Sequence, residues 1–429
     1  MTPQIITLLL LAIVVVLLVT EKMPMSCIGL GVIAVLTLTK VLKPAEALAQ
    51  FASGSIVLIS CVFLISGAMM EVGVAQLIGN KVRQIVDKSK GGETMVILLI
   101  MAATMAMCTA LPRVGVAGAL IPIIISISMA TGISRTKLLF IMALTASFGG
   151  SITLIGTPPN LLAKAALEQA GLGTIGFFDF AVVGIPLAIM GTIFILLVRN
   201  SSLIPARFQE EIVDVSKIKE QAKLDPSLKK KQVLTGLVFA VFILSIIFEK
   251  QTGIQAYIVG IIGAAVLVTT KTVTEKFAFN QSINWGMTFF IVGMLTLGDA
   301  MSKSGASKLL ADNVMSMVGS NPSPLLLTGV LFLLAAVLTQ FMSNTGAAGM
   351  LIPFGISLAS GLGLDPKAVI MAIVIGCNSS FMTPMATPAN TMIVGPGNIK
   401  FMDWVKVGIP LMVMTFILAM VVLPMAFPL

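Results

Sequence analysis

Apolar residues in this chain run in long continuous stretches, without the strict alternation of half-buried strands. A membrane-crossing helix needs roughly 20 apolar residues, fewer in a segment that enters and leaves by one face. By that measure ten spans are predicted, at 5–20, 25–39, 54–72, 138–170, 178–199, 233–248, 254–270, 284–300, 366–394 and 404–427. The spans at 138–170 and 366–394 are broken by Gly, Pro and polar residues near their middles. Two further apolar stretches, 94–130 and 324–361, are too long for one helix. The first is interrupted at Leu111-Pro112-Arg113-Val114-Gly115 and the second at Ser343-Asn344-Thr345-Gly346. Each predicts a re-entrant helical hairpin with its tip inside the membrane. Such a tip must be buried in protein or line a cavity. No basic residue precedes the first stretch, so a retained first span rather than a secretory leader is expected.

The two halves repeat in order. Leu120-Ile121-Pro122 matches Leu351-Ile352-Pro353, and Thr157-Pro158-Pro159-Asn160 matches Thr387-Pro388-Ala389-Asn390. Val183-Gly184-Ile185-Pro186 matches Val407-Gly408-Ile409-Pro410, and Gly73 with Leu77 matches Gly305 with Leu309. Each half holds five spans plus one hairpin. Five is odd, so the second copy must be upside down relative to the first. Inverted repeats with paired broken helices point to a secondary transporter with its site at the repeat interface. The expected division is 1–199 for the first repeat, 200–232 for a polar linker and 233–429 for the second repeat.

Composition agrees with this reading. Of the 429 residues 57% are hydrophobic and only 10% charged, against about 25% charged in soluble domains. That excludes a water-soluble domain, a coiled coil and a disordered chain. The net charge of +9 is a matter of topology. With the N-terminus outside, 19 of the 27 Lys and Arg fall on the inner face, eight of them in the 199–231 loop. Seven fall outside, and Arg113 is left within the membrane. The bias predicts both termini outside and the linker in the cytoplasm. Nothing in the pattern suggests a nucleic-acid partner. There is no His, and Cys27, Cys61, Cys108 and Cys377 lie singly in apolar runs. Metal clusters, His proton relays and a disulfide framework are therefore not expected. Residues 73–90 read as an amphipathic helix on the cytoplasmic face, mirrored outside by 305–318. Trp285 and Trp404, near span starts, read as interfacial anchors.

Broken helices free backbone carbonyls, which with hydroxyls suit Na⁺, and expose helix N-termini, which suit an anion. The second half offers this chemistry twice. One place is the tip Ser343-Asn344-Thr345, and the other is the run Asn378, Ser379, Ser380, Thr383, Pro384, Thr387, Pro388 and Asn390.

The string Gly149-Gly150-Ser151-Ile152-Thr153-Leu154-Ile155-Gly156-Thr157-Pro158-Pro159-Asn160, with the Ser343-Asn344-Thr345 tip and Thr383-Pro384 followed by Thr387-Pro388-Ala389-Asn390, resembles the signatures of the divalent-anion/sodium symporter family of the ion transporter superfamily. The likeness spans essentially the whole chain. It implies an all-α homodimer in the lipid bilayer, with a scaffold and a moving unit and elevator-type alternating access. The cargo implied is a dicarboxylate, citrate or sulfate, coupled to Na⁺. It assigns substrate contacts to Asn344 and Thr345, and to Thr157, Pro158, Thr387 and Pro388 of the broken helices. It assigns a Na⁺ site to Ser343, Asn344, Thr383, Ala386 and Thr387.

The first half departs from that pattern. Aligned on Pro122 and Pro353, its tip is Pro112-Arg113-Val114 where Ser-Asn-Thr is expected. Pro has no N–H, Val no oxygen, and Arg cannot accept a hydrogen bond. The first Na⁺ site is therefore expected to be lost. Arg113 either binds the anion or supplies a fixed positive charge, or else forms a buried ion pair with Asp299, Glu71 or Glu168. The competing functions are an anion exchanger without Na⁺ coupling and a Na⁺/H⁺ or arsenite-type exchanger. Neither tip carries the carboxylate a Na⁺/H⁺ exchanger requires. An intramembrane enzyme would need a nucleophile paired with a base inside a span, and none is present.

Overall fold

Long apolar stretches fold as helices where the spans are expected. The computed structural model describes residues 2–20, 22–88, 92–207, 226–306, 308–309, 323–384 and 386–427, and among these there is no strand. The first half comprises α1 (Pro3–Thr20), α2 (Met25–Leu38), α3 (Gly54–Glu71), α4 (Val74–Lys88), α5 (Glu93–Cys108), α6 (Arg113–Thr131), α7 (Arg135–Gly150), α8 (Pro158–Gln169) and α9 (Ala181–Val198). The second comprises α10 (Pro226–Ile247), α11 (Ala256–Thr269), α12 (Trp285–Ser304), α13 (Pro324–Leu338), α14 (Asn344–Gly361), α15 (Pro366–Asn378), α16 (Pro388–Gly397) and α17 (Phe401–Ala426). Among the described residues, six helices are long and apolar enough to cross a membrane, and α1, α2, α5, α11, α13 and α15 are shorter apolar helices.

All four expected breaks are present. Both long stretches split into helix pairs, α5–α6 and α13–α14. The helical N-terminus in each is the tip itself, at Arg113 and at Asn344. Pro112 caps α6, and Gly132 ends it in the left-handed region at φ 72. Ser343 caps α14, its Oγ accepting from Gly346 N at 3.0 Å. The two broken spans separate α7 from α8 and α15 from α16. Pro158 and Pro388, at the first helical position, lose nothing by lacking an N–H there.

The sequence repeats correspond to repeated geometry. Gly73 and Gly305 both take positive φ, at 79 and 76, and each carbonyl accepts from the Leu four residues on, Leu77 at 3.1 Å and Leu309 at 3.2 Å. Gly184 on α9 packs on the first broken loop, where a Cβ would meet Ser151 O and lie 2.8 Å from Ile152 Cα. Gly408 on α17 packs on the second loop, where a Cβ would lie 2.6 Å from both Phe381 O and Met382 Cα. Only glycine permits these approaches.

Two sets of helix contacts stand out, joined to each other where α12 packs on α14. In one, α2 crosses α12 at Gly29 and Gly293, where a Cβ on Gly29 would sit 2.7 Å from Phe290 Cα. Such small-residue crossings are the usual means of close helix association in lipid. α3, α10 and α11 pack beside this pair. The other group holds both helix pairs and both broken helices, which exchange partners. α8 of the first half packs on α14 and α15, whereas α16 of the second half packs on α6 and α7.

The amphipathic helix expected at 73–90 is α4. Its expected counterpart at 305–318 lies mostly outside the described residues. Trp285 is exposed, as an interfacial anchor should be, with its Nε1 donating to Phe279 O at 2.7 Å. Trp404 is not an anchor. It is fully buried edge-on against Phe140, centroids 4.9 Å apart, because α17 packs its first turn into the core around α7.

Candidate functional site

Each broken loop is held by an asparagine in the helix that follows it. Asn160 Nδ2 donates to Gly150 O at 3.3 Å and to Thr153 O at 2.7 Å, ten and seven residues back. Asn390 Nδ2 donates to Ser380 O at 3.2 Å and Thr383 O at 3.3 Å, at the same separations. Each loop is also tied to its hairpin turn. Thr153 Oγ1 donates to Thr109 O at 2.5 Å, and Thr383 Oγ1 donates to Gln340 O at 2.7 Å. These bonds occupy loop and turn carbonyls, Thr153 O accepting from Gly156 N at 3.3 Å as well; a buried carbonyl left unpaired costs about 1–3 kcal/mol. They also fix the loops beside the two tips.

The second tip is a neutral oxygen cluster. Asn344 Oδ1 accepts from Thr339 Oγ1 at 2.8 Å, and its Nδ2 donates to Ser380 Oγ at 3.3 Å. Gln340 Nε2 donates to Ser379 O at 2.9 Å while its Oε1 accepts from Met382 N at 3.0 Å. Thr345, Thr383, Ala386 and Thr387 are all buried around this loop, and Thr387 Oγ1 caps α16 by accepting from Asn390 N at 3.2 Å. Ser343 is committed as the α14 cap, and its hydroxyl donates to Met25 Sδ at 3.3 Å. Pro388 is exposed and Pro158 half-buried.

At the first tip Arg113 takes the place of Asn344. Its side chain is buried, with 7% of the residue exposed. Nη2 donates to Ser147 O, in the last turn of α7, at 3.3 Å. The guanidinium lies over Gly150, where a Cβ would stand 2.5 Å from Nε and 2.9 Å from Thr157 Cγ2. Nε and Nη1 have no hydrogen-bond partner. No carboxylate pairs with Arg113 among the described residues. Asp299 accepts instead from Gln50 Nε2 at 3.0 Å, Glu168 pairs with Lys164 at 2.8 Å, and Glu71 is exposed.

The two sides meet through Thr157. Its Oγ1 lies 2.7 Å from Asn160 Oδ1 and 3.1 Å from Asn378 Oδ1, a hydroxyl proton shared between two acceptors. Asn378 Nδ2 completes the link by donating to Asn160 Oδ1 at 2.9 Å. The next carbonyl back, Cys377 O, accepts from Thr339, which also holds Asn344. Asn344 is thus linked to Thr157 through Thr339, Cys377 O and Asn378, and Thr157 Cγ2 stands across Gly150 from the Arg113 guanidinium. The tips stand against the ends of α2 and α3. A Cβ on Gly115 would lie 2.9 Å from Met70 Cε, one residue from the end of α3. Ser343 meets Met25, the first residue of α2.

The pattern of the citrate transporter family matches residues 15–249 and 243–429. The chain belongs to the citrate transporter family. It is therefore a membrane transporter, and the resemblance read from its motifs holds. An uncharacterized transporter of Haemophilus influenzae is 27% identical over 423 residues, covering 93% of this chain and 87% of that one. The sodium-dependent dicarboxylate transporter SdcS of Staphylococcus aureus is 24% identical over 422 residues, covering 91% and 79%. Two solved transporters share the fold at 16% identity. MtrF of Neisseria gonorrhoeae has a TM-score of 0.63 over 91% of this chain and 83% of that one, and YdaH of Alcanivorax borkumensis 0.59 over 88% and 86%.

Sequence reasoning about this family member missed the supports behind the motifs. Thr339 and Gln340 are buried polar residues in an apolar helix end immediately before a break, and that placement was the available signal. Asn160 and Asn390 stand three residues after Thr157 and Thr387 in both halves. Lys164 is buried and pairs with Glu168 and, at 3.6 Å, Glu249, beside a cavity of about 320 Å³.

Proposed function

We propose that the chain is a secondary active transporter of a small divalent anion, a dicarboxylate, citrate or sulfate, coupled to Na⁺ through the second-half site. One observation carries this reading. In an otherwise apolar helical protein, two broken loops with the same hydrogen-bond frame converge on one buried polar centre. Such a centre places helix N-termini for an anion and free carbonyls for a cation side by side. Asn344, Thr345, Thr157 and Thr387 line the anion's place, with Pro158 and Pro388 setting the helix starts behind it. Ser343, Asn344, Thr383, Ala386 and Thr387 supply neutral hydroxyl, amide and carbonyl oxygens, the donor type Na⁺ takes. SdcS, by its name a sodium-dependent dicarboxylate transporter, supports both cargo and coupling.

The two repeats are inverted, 1–199 against 233–429, with both termini outside and residues 200–232 in the cytoplasm. Ion pairing supports the span count, because each described pair joins residues assigned to one face. Lys137 with Glu93 and Arg207 with Asp403 are inner, whereas Lys164 with Glu249, Lys303 with Glu46 and Lys367 with Asp179 are outer. A homodimer forms through scaffold spans in 5–72 and 233–300. The helix pairs and broken helices move as an elevator past this scaffold. Tips that stand at mid-depth of their own unit lie against the cytoplasmic ends of α2 and α3, which corresponds to an inward-facing position.

Purified protein in proteoliposomes tests the proposal with labelled succinate, citrate and sulfate. Each is offered with a Na⁺ gradient, with choline, with a proton gradient, or with the same anion inside. Na⁺-stimulated uptake of at least one anion is expected. Equal uptake in choline removes the coupling, and no uptake under any condition removes the function.

A further inference from the structure

We infer that Arg113 is the resident cation of the first ion site, standing where the second half would hold Na⁺. The inference rests on the reading of the second-half site above. The two loops share one frame, so positions correspond. Asn344 faces Ser380 Oγ, and Arg113 lies over Gly150, the residue matching Ser380 when Asn160 is aligned with Asn390. The guanidinium donates to a carbonyl in the last turn of α7. Helix C-termini carry partial negative charge and attract cations there. The tip's side-chain oxygens of a Na⁺ shell are missing, because Pro112 and Arg113 stand where Ser343 and Asn344 supply them, while Thr153 and Thr157 of the loop remain.

The residues present do not fit Na⁺ at this site. A Na⁺ about 4 Å from a guanidinium, at an effective dielectric of about 20, would bind on the order of 10³-fold more weakly. The guanidinium is also incompletely satisfied. Nε and Nη1 are buried without partners, and no carboxylate balances the charge among the described residues. An uncompensated buried charge is costly. The group that meets both needs is the transported anion, which a planar N–H fork holds well. One site is thus permanently charged by a side chain and the other transiently by an ion.

Equilibrium binding of ²²Na⁺ to the purified dimer by scintillation proximity tests this. Wild type should bind one Na⁺ per chain, and Asn344→Ala none. The variant Pro112→Ser, Arg113→Asn, Val114→Thr, which installs the second tip's residues in the first, should bind one more Na⁺ per chain than wild type. Size exclusion confirms that each variant is folded. Two Na⁺ per chain in wild type, or Na⁺ binding retained in Asn344→Ala, would overturn the inference. So would a folded restored-tip variant that binds no more than wild type. Wild type that binds no Na⁺ refutes the second-half site instead, and a gain of one in the restored tip then still supports the role of Arg113.

Discussion

The contact between Asn160 and Asn378 is the place to test whether the two broken loops act as one unit. Asn160 is fully buried and makes bonds in every direction. It donates to Thr153 O at 2.7 Å and Gly150 O at 3.3 Å, and accepts from Asn378 Nδ2 at 2.9 Å. Asn160→Ala strands Gly150 O and the Asn378 N–H and leaves Thr153 O with only Gly156 N at 3.3 Å. At about 1–3 kcal/mol for each abandoned buried group, less what an entering water recovers, the loss should be roughly 3–5 kcal/mol. Asn378→Ala removes one donor to Asn160 Oδ1 and one acceptor of the Thr157 hydroxyl but strands neither, because Thr157 Oγ1 still donates to Asn160 Oδ1 at 2.7 Å, so about 1 kcal/mol is expected. The shared bond is lost in either variant. The double variant should therefore cost about 1 kcal/mol less than the sum, since neighbours in one network couple by about 0.5–3 kcal/mol. Asn160→Asp keeps the shape but turns an acceptor toward two carbonyls, and it should be at least as damaging as Ala. Thermal unfolding in detergent, read by fluorescence-detected size exclusion, measures the four variants against wild type. Additivity within about 0.3 kcal/mol would refute the idea that this bond couples the halves.

Three further outcomes are expected. Asn344→Ala removes the partner of Ser380 Oγ and Thr339, and should abolish Na⁺-stimulated uptake with the dimer peak unchanged; an unaltered Na⁺ half-saturation would count against the site. Gly29→Ala drives a methyl into the α12 backbone and should cost about 1–3 kcal/mol, whereas Gly31→Ala, with nothing within 4 Å, should be neutral or slightly stabilising; equal melting curves would show that α2 and α12 do not approach as described. In a cysteine-free background, Ser202→Cys should react with an impermeant maleimide only in inside-out vesicles and Thr252→Cys only in intact cells, and the reverse pattern would invert the orientation.

Much of this architecture was legible because membranes leave few choices. Apolar runs must be helices, and a run too long for one helix must turn at its polar residues. That logic located the turns at Pro112 and Ser343 to within a few residues. The tip residues stood out because Ser, Asn, Thr and Arg are rare at such depth. The supports were harder to see. Trp404 looks interfacial from its place at a span start, but α17 leans its first turn onto α7, a tertiary fact no window of hydropathy contains. The buried pairing of Lys164 was not legible, because partners 85 residues away, such as Glu249, cannot be paired from sequence. Asn160 and Asn390 were read as part of a signature rather than as the residues that hold the loops. Their role depends on backbone carbonyls, which leave no trace in side-chain patterns.

The burial of Arg113 has an electrical consequence. A bound ion can leave with its cargo, whereas a side chain travels in both directions. With a dianion and one Na⁺ aboard, the moving unit is neutral, and the membrane voltage does not act on it. Emptied, it carries one positive charge. Returning that charge outward against an interior 100 mV negative costs about 2.3 kcal/mol for a full crossing, roughly 50-fold in population. On the proposed elevator and orientation, the same voltage holds the empty unit inward, the position in which the tips stand against Met25 and Met70. A second dianion taken up inside together with one Na⁺ cancels the charge and frees the return. Net uptake of a dianion should therefore slow as the interior becomes more negative, while one-for-one swapping across the membrane should be indifferent to voltage.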